Sequence, residues 1–244
     1  MRFLRTVSSK KRLIPALFLH IQKTAGTSTL EHVRPFYGDS MTSHGDCWGR
    51  QPKNLDDIQF ISGHIGYDYA KHLIPSRYSF TFLRNPAERV LSMYYFCAKQ
   101  NPDEFDIYKQ ANQHKLESFL LKGFDSPLIK KNIWNSQVWQ LAHGYAHLDN
   151  RTIDDFKENE LLELAVNHIE NFSFIGFTEH FNHDHSKILE ALGLPKPTVS
   201  IIANTAPNRP KFADLPNTTK NILSDLTELD QQLYDIALSR RSNT

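Results

Sequence analysis

Two apolar runs each break into a polar turn and then a helix start. This repeated junction constrains the fold more than any other feature of the chain. In the first, Ala16–Ile21 reads as a buried strand, Gln22–Gly26 as a polar loop, and the following residues as a helix reaching about Arg34. In the second, the strand Tyr78–Leu83 runs into Arg84-Asn85-Pro86. Asn85 can cap a helix, Pro86 suits its first turn, and Glu88 sits three residues after the cap. That helix is expected to run to about Lys99, with Val90, Tyr94 and Cys97 on one apolar stripe. Another short strand is expected at Ile58–Ser62, after a loop over Pro35–Asn54. Strands alternating with helices over the first hundred residues favour parallel βαβ units with right-handed crossovers. The expected fold is therefore α/β, with three layers and a central, mostly parallel sheet flanked by helices. Ligands of such sheets bind at the carboxyl ends of strands, so both junctions should open on one edge. The strand order is not legible.

The remaining pattern is mostly helical. Leu116–Leu121, Asn132–Ala142 and Thr152–Ile169 read as helices, and Phe172–Gly176 as a strand. Asp184–Leu192 reads as a helix capped by Asp184 and stopped by Gly193 and Pro195. Ile201–Asp214 is loop-like, and Thr219–Arg240 reads as one long final helix. A chain of 244 residues can bury a core without disulfides or metal. We read residues 1–244 as one domain, with 1–12 a basic N-terminal arm carrying Arg2, Arg5, Lys10, Lys11 and Arg12. The apolar stretch Leu13–Ile21 is too short to span a bilayer and lacks a small-residue cleavage site after it. The net charge of +1 argues against a general nucleic-acid binder but leaves room for a local basic pocket. Cys47 and Cys97 are far apart and form no CxxC pair, so a reducing, cytoplasmic setting is the simpler reading. Oligomeric state is not legible.

The first junction has the makings of an anion site. Backbone N–H groups converge at a strand-to-helix turn, and the helix N-terminus adds positive potential. Gly26 allows close approach, Lys23 supplies charge, and Thr24, Thr27 and Ser28 supply hydroxyls. It is not a Walker A loop, because the lysine comes first and the early glycine is missing. Alone, the segment reads equally well as a turn with a solvated lysine and a Ser28 cap paired with Glu31. In the second junction, Arg84 ends a buried strand and Ser92 lies two turns into the helix, one turn beyond Arg89. A guanidinium and a hydroxyl so placed suit a phosphate monoester. Alone, the two arginines read more simply as partners of acidic neighbours.

Together, the two junctions resemble those of the sulfotransferases that use 3′-phosphoadenosine 5′-phosphosulfate (PAPS). Gln22-Lys23-Thr24-Ala25-Gly26-Thr27-Ser28 is similar to that family's 5′-phosphosulfate loop. Arg84-Asn85-Pro86-x-x-Arg89-x-x-Ser92 is similar to its 3′-phosphate motif. The wording of both motifs is most similar to the branch of heparan sulfate 2-O- and 6-O-sulfotransferases and their bacterial relatives. The resemblance is strong over Leu17–Phe96 and thinner afterwards. Asn135-Ser136-Gln137 with Leu141, and Phe174–Glu179, are compatible later fragments. It implies a P-loop-like fold, PAPS as donor, 3′-phosphoadenosine 5′-phosphate (PAP) as product, no metal, and a carbohydrate or small-molecule acceptor with a hydroxyl. It also implies that Lys23 stabilises the bridging oxygen, that Thr24, Ala25, Gly26, Thr27 and Ser28 hold the 5′-phosphosulfate, and that Arg84 and Ser92 hold the 3′-phosphate. Ser92 would further restrain Lys23 until acceptor binds.

An acceptor hydroxyl needs a base. His64, in Ser62-Gly63-His64-Ile65-Gly66, follows the second strand and should lie on the same edge. Glu31 and His32 are its rivals. The cluster His180, His183, Asp184 and His185 matches no strong zinc spacing, and His143 with His147 lacks the glutamate of HExxH. Asn208-Arg209-Pro210-Lys211 is a basic loop that could close over a nucleotide, and Trp134 and Trp139 are expected in the core or at the rim. Competing readings are a nucleotide kinase, for which no convincing Walker B acidic strand is visible, and a non-catalytic PAP-binding module.

Overall fold

The computed structural model describes residues 13–42, 47, 50–145, 149–196 and 209–241. The expected basic arm 1–12, His147 and Asn208 lie outside the described residues, as does the first part of the Ile201–Asp214 loop. Four strands are described: β1 Ala16–Leu19, β2 Phe60–Gly63, β3 Tyr78–Leu83 and β4 Phe174–Phe177. All pairings are parallel, in the order β2-β1-β3-β4. The helices are α1 Gly26–Tyr37, α2 Tyr67–Ala70, α3 Pro86–Cys97, α4 Asp106–Gln113, α5 Leu116–Asp125 and α6 Pro127–Ile133. They continue as α7 Ser136–Ala142, α8 Glu158–His168, α9 Phe181–Ala191, α10 Asn217–Leu226 and α11 Glu228–Arg241.

The strand β1 is buried at every position because the sheet is covered on both faces. Ala16 and Phe18 join a cluster with Leu30 and Val33 of α1 and Ile188 and Leu189 of α9. Leu17 and Leu19 join the opposite cluster, with Val138 of α7, Leu161 of α8 and Leu233 of α11. The three-layer α/β expectation therefore holds, and the sheet is wholly parallel. A further apolar cluster unites α3, α5, α6 and α10 through Val90, Phe119, Ile129 and Leu223.

The topology places the site. The chain leaves β1 for β2 on one side, then crosses back to β3 on the other, so the order reverses between β1 and β3. The crevice at the carboxyl ends of strands about such a switch point is where open α/β sheets bind ligands. The turn Gln22–Ala25 follows β1 there, and Arg84 follows β3.

Several local expectations are corrected. Helix α1 runs past Arg34 to Tyr37, with Pro35 in its last turn, and starts at Ala25 without a side-chain cap, so Ser28 is no cap. Asn132–Ala142 is interrupted at Asn135, whose backbone is left-handed at φ 39°. The final helix is interrupted at Thr227. The two breaks pair with each other. The Asn135 side chain accepts from the Leu229 and Asp230 amides at 2.9 and 3.1 Å, and the Asn135 amide donates to the Leu226 carbonyl at 2.9 Å. In return, the Asp230 carboxylate accepts from the amides of Gln137 and Val138 in the first turn of α7. Asp184 is not a cap either. Helix α9 begins at Phe181, and the buried Asp184 carboxylate accepts from the Phe177 amide at 2.8 Å and pairs with Arg241 at 2.6 Å. Thr152–Ile169 begins as a short 3-10 turn at Ile153–Asp155 before α8.

Candidate active site

The turn after β1 is strained and held from outside. Lys23 and Ala25 both adopt left-handed backbone, at φ 69° and 74°, a conformation that costs side-chain-bearing residues about 1–2 kcal/mol each. Donors at its carbonyls offset that cost. Thr24 Oγ1 donates to the Ile21 carbonyl at 2.7 Å, Arg84 Nη1 to the Lys23 carbonyl at 2.9 Å, and Arg89 Nη1 to the Gln22 carbonyl at 3.4 Å. A left-handed residue beside a helical one turns successive N–H groups the same way and makes a concavity for anions. Helix α1 opens on this concavity with no acidic residue in its first turn, so its positive end is not offset. Gly26 is required here: a Cβ would lie 1.8 Å from His20 Nε2. The His20 ring is itself fixed by stacking on Phe18, with centroids 5.1 Å apart.

The turn after β3 is built differently. The Asn85 side chain accepts from the Glu88 amide at 3.1 Å, as expected of the cap. Gln137 grips the Arg84 backbone with both ends of its amide, at 3.0 and 2.9 Å. Burial, then the nearby Arg209 guanidinium, push the Arg84 pKa below its ordinary value. Glu88 holds Arg209 at 2.5 Å and accepts from the Phe212 amide at 2.8 Å, which fixes the Arg209–Phe212 loop beside Arg84. Arg89 is fully buried and donates to the Asn132 carbonyl at 2.6 Å, so it braces the turn rather than facing a ligand.

One cavity of about 1750 Å³ is lined by Lys23, Ala25, Gly26, Thr27, Ser28, His64, Arg84 and Ser92, residues from three strand ends and α3. Arg209 and Lys211 line it too. Thr24 is the exception among the expected site residues: it is buried, and its hydroxyl is committed to the Ile21 carbonyl. Its hydroxyl shapes the turn and does not face a ligand. Glu31 and His32, the rival bases, do not line the cavity; the His32 ring instead lies 4.9 Å from that of His185.

His64 sits just past β2 with its ring 4.5 Å from that of His20. Its Nδ1 lies 2.9 Å from the His20 carbonyl, which Gln140 also binds at 3.1 Å. A carbonyl only accepts, so Nδ1 carries the proton and Nε2 of the neutral ring carries the lone pair. Lys23 is the second titratable group of interest. Burial pulls its pKa down to about 8, and the guanidinium charges of Arg84 and Arg89 add to the shift.

Among the described residues, Asp68, His143 and Asp149 come close enough to suggest a metal. Their charge is already matched, because Lys71 pairs with Asp68 and Arg151 with Asp149, while His143 bonds Asp149 at 3.0 Å. The histidines and Asp184 around α9 form no such group among the described residues. Trp139 is buried and lines the cavity, while Trp134 carries Lys130 on its ring. Both cysteines are buried, and among the described residues neither forms a disulfide. No described helix is long and apolar enough to cross a membrane.

Sequence reasoning did not assign Gln137, Gln140, Glu88, Phe96 or Asp230. Gln137 had a signal as part of the Asn135-Ser136-Gln137 fragment, and Glu88 as the residue three after the Asn85 cap. Residues 7–237 match the model of the sulfotransferase family. No curated protein matches the chain.

Proposed function

The chain belongs to the sulfotransferase family, and we propose that it transfers the sulfuryl group of PAPS to a hydroxyl on a carbohydrate. The observation that carries this reading is the convergence of both junctions on one cavity, with Arg84 bonded to the Lys23 carbonyl. A nucleotide with phosphate at both ends fits such a pair of cationic turns. The amides of the β1–α1 turn and the start of α1 hold the 5′-phosphosulfate, with Gly26, Thr27 and Ser28 nearest. Arg84, Ser92 and Arg209 hold the 3′-phosphate, which distinguishes PAPS from ATP. We read the whole chain as a single sulfotransferase domain that acts in the cytoplasm without a metal.

The protein's task is positioning and charge stabilisation, as in phosphoryl transfer. His64 Nε2 takes the acceptor proton while the acceptor oxygen forms its bond to sulfur. Lys23 stabilises the charge that gathers on the bridging oxygen as the bond from that oxygen to sulfur breaks and PAP leaves. The His20 carbonyl keeps His64 in the tautomer that a base needs. The cavity is also lined by Trp139, Tyr145, Asn150 and Arg151, a mixture of flat rings and polar groups suited to a sugar.

Calorimetry with PAP, ATP and ADP, all without metal, tests the donor. PAP is expected to bind well and ATP poorly; equal affinities would sink the reading. Arg84→Ala should weaken PAP by about 30-fold or more, as for loss of a buried charge-assisted contact. His64→Ala should lower turnover by about 10²–10⁴ while PAP binding is kept. Unchanged turnover would remove His64 as the base, and a screen of hydroxyl acceptors with labelled PAPS identifies the second substrate.

A further inference from the structure

The Lys23 ammonium lies 3.7 Å from the centroid of the Phe96 ring. Phe96 stands on α3 one turn beyond Ser92, and both line the cavity. Among the described residues, the charged and titratable groups that act on the ammonium are the guanidinium of Arg84 at the end of β3 and, on α3, the guanidinium of Arg89 and the thiol of Cys97. The thiol is neutral, since burial pushes it up to about 12. Two like charges and no carboxylate among these neighbours leave the ring face as the counter-charge. A carboxylate in its place would repel an incoming polyanion, whereas a ring attracts the cation without doing so.

We propose that Phe96 is a positioning residue for Lys23: its ring keeps the ammonium charged and parked on α3 until a phosphosulfate takes over as counter-charge. The proposal rests on the donor reading above. It adds a ring to the Ser92 hydroxyl that the resemblance expects to restrain this lysine.

The test reads Lys23 directly, by NMR titration of ¹³C-lysine protein without nucleotide, with the resonance assigned through Lys23→Met. Wild type should titrate near 8. Phe96→Leu should move the titration down by about 0.5–1 unit, and Phe96→Tyr should restore it. The alkaline limb of kcat/KM for PAPS should move by the same amount, because that limb reports the free enzyme. Equal titrations in the Leu and Tyr variants would overturn the proposal. Should Phe96→Leu fail to fold, trifluorophenylalanine at position 96 keeps the shape and weakens the ring face. It should then give the downward shift, and an unshifted titration would again overturn the proposal. A titration that moves, in a wild type that does not bind PAP, overturns the parking role together with the donor reading. A titration that stays put, with PAP bound, overturns the parking role alone.

Discussion

The β1–α1 and β3–α3 junctions present cations to the same cavity by opposite means. The β3–α3 turn is specified locally: Asn85 caps Glu88, and Pro86 opens the helix. The β1–α1 turn has no side-chain cap, two left-handed residues, and braces from Arg84 and Arg89, more than sixty residues away. The difference follows from what each must hold. A capping side chain would occupy the amides that the proposed phosphosulfate needs, so the turn we propose for it is held from its carbonyl side by distant donors. The locally capped helix serves as the platform from which they reach.

The sharpest way to break this comparison is Gly26→Ala, because the new methyl would meet the His20 ring. Overpacking of this kind should cost about 2–3 kcal/mol and abolish PAP binding, as read by urea unfolding and calorimetry. Adding His20→Ala should restore part of both. Wild-type PAP affinity in Gly26→Ala would show that the ring does not shape the turn.

Next in size is Lys23→Met. The folded-state pKa of Lys23, about 8, lies below the ordinary lysine value. Between pH 8 and 10.5 the folded chain therefore binds fewer protons than the unfolded one, and wild-type stability rises across that window. The charge is thus a cost to folding below pH 8. Lys23→Met should stabilise the protein by about 1–3 kcal/mol at pH 7, with the gain shrinking from pH 8 to 10.5, while turnover collapses. Denaturant midpoints at pH 7 and pH 10 measure the difference, and an equal gain at both would contradict the assigned burial.

The smallest effect belongs to the platform. Asn85→Ala removes one local cap and should lower stability by about 1 kcal/mol, with PAP affinity changed less than threefold. A larger loss of affinity would mean that the β3–α3 turn, too, is held at long range.

Much of this was legible. Tyr78–Leu83 and its Asn85-Pro86 helix start were read in place, because propensity and capping act within a few residues. The breaks at Asn135 and Thr227 were not, because each is made by the other's helix. Asp184 was misread as a cap for the same reason: its partners are Phe177, on the neighbouring strand, and Arg241, at the end of the chain.

The sequence by itself determined the residues at the two strand ends, the buried strands that carry them and the family they resemble. Each of these is written in contiguous residues. Only the tertiary structure decided that β1 and β3 are neighbours about a switch point. It also decided that the Thr24 hydroxyl faces inward, that the His20 carbonyl fixes the tautomer of His64, and that Lys23 rests on Phe96. These depend on groups brought together across the sheet, and no local pattern in the chain encodes their distances.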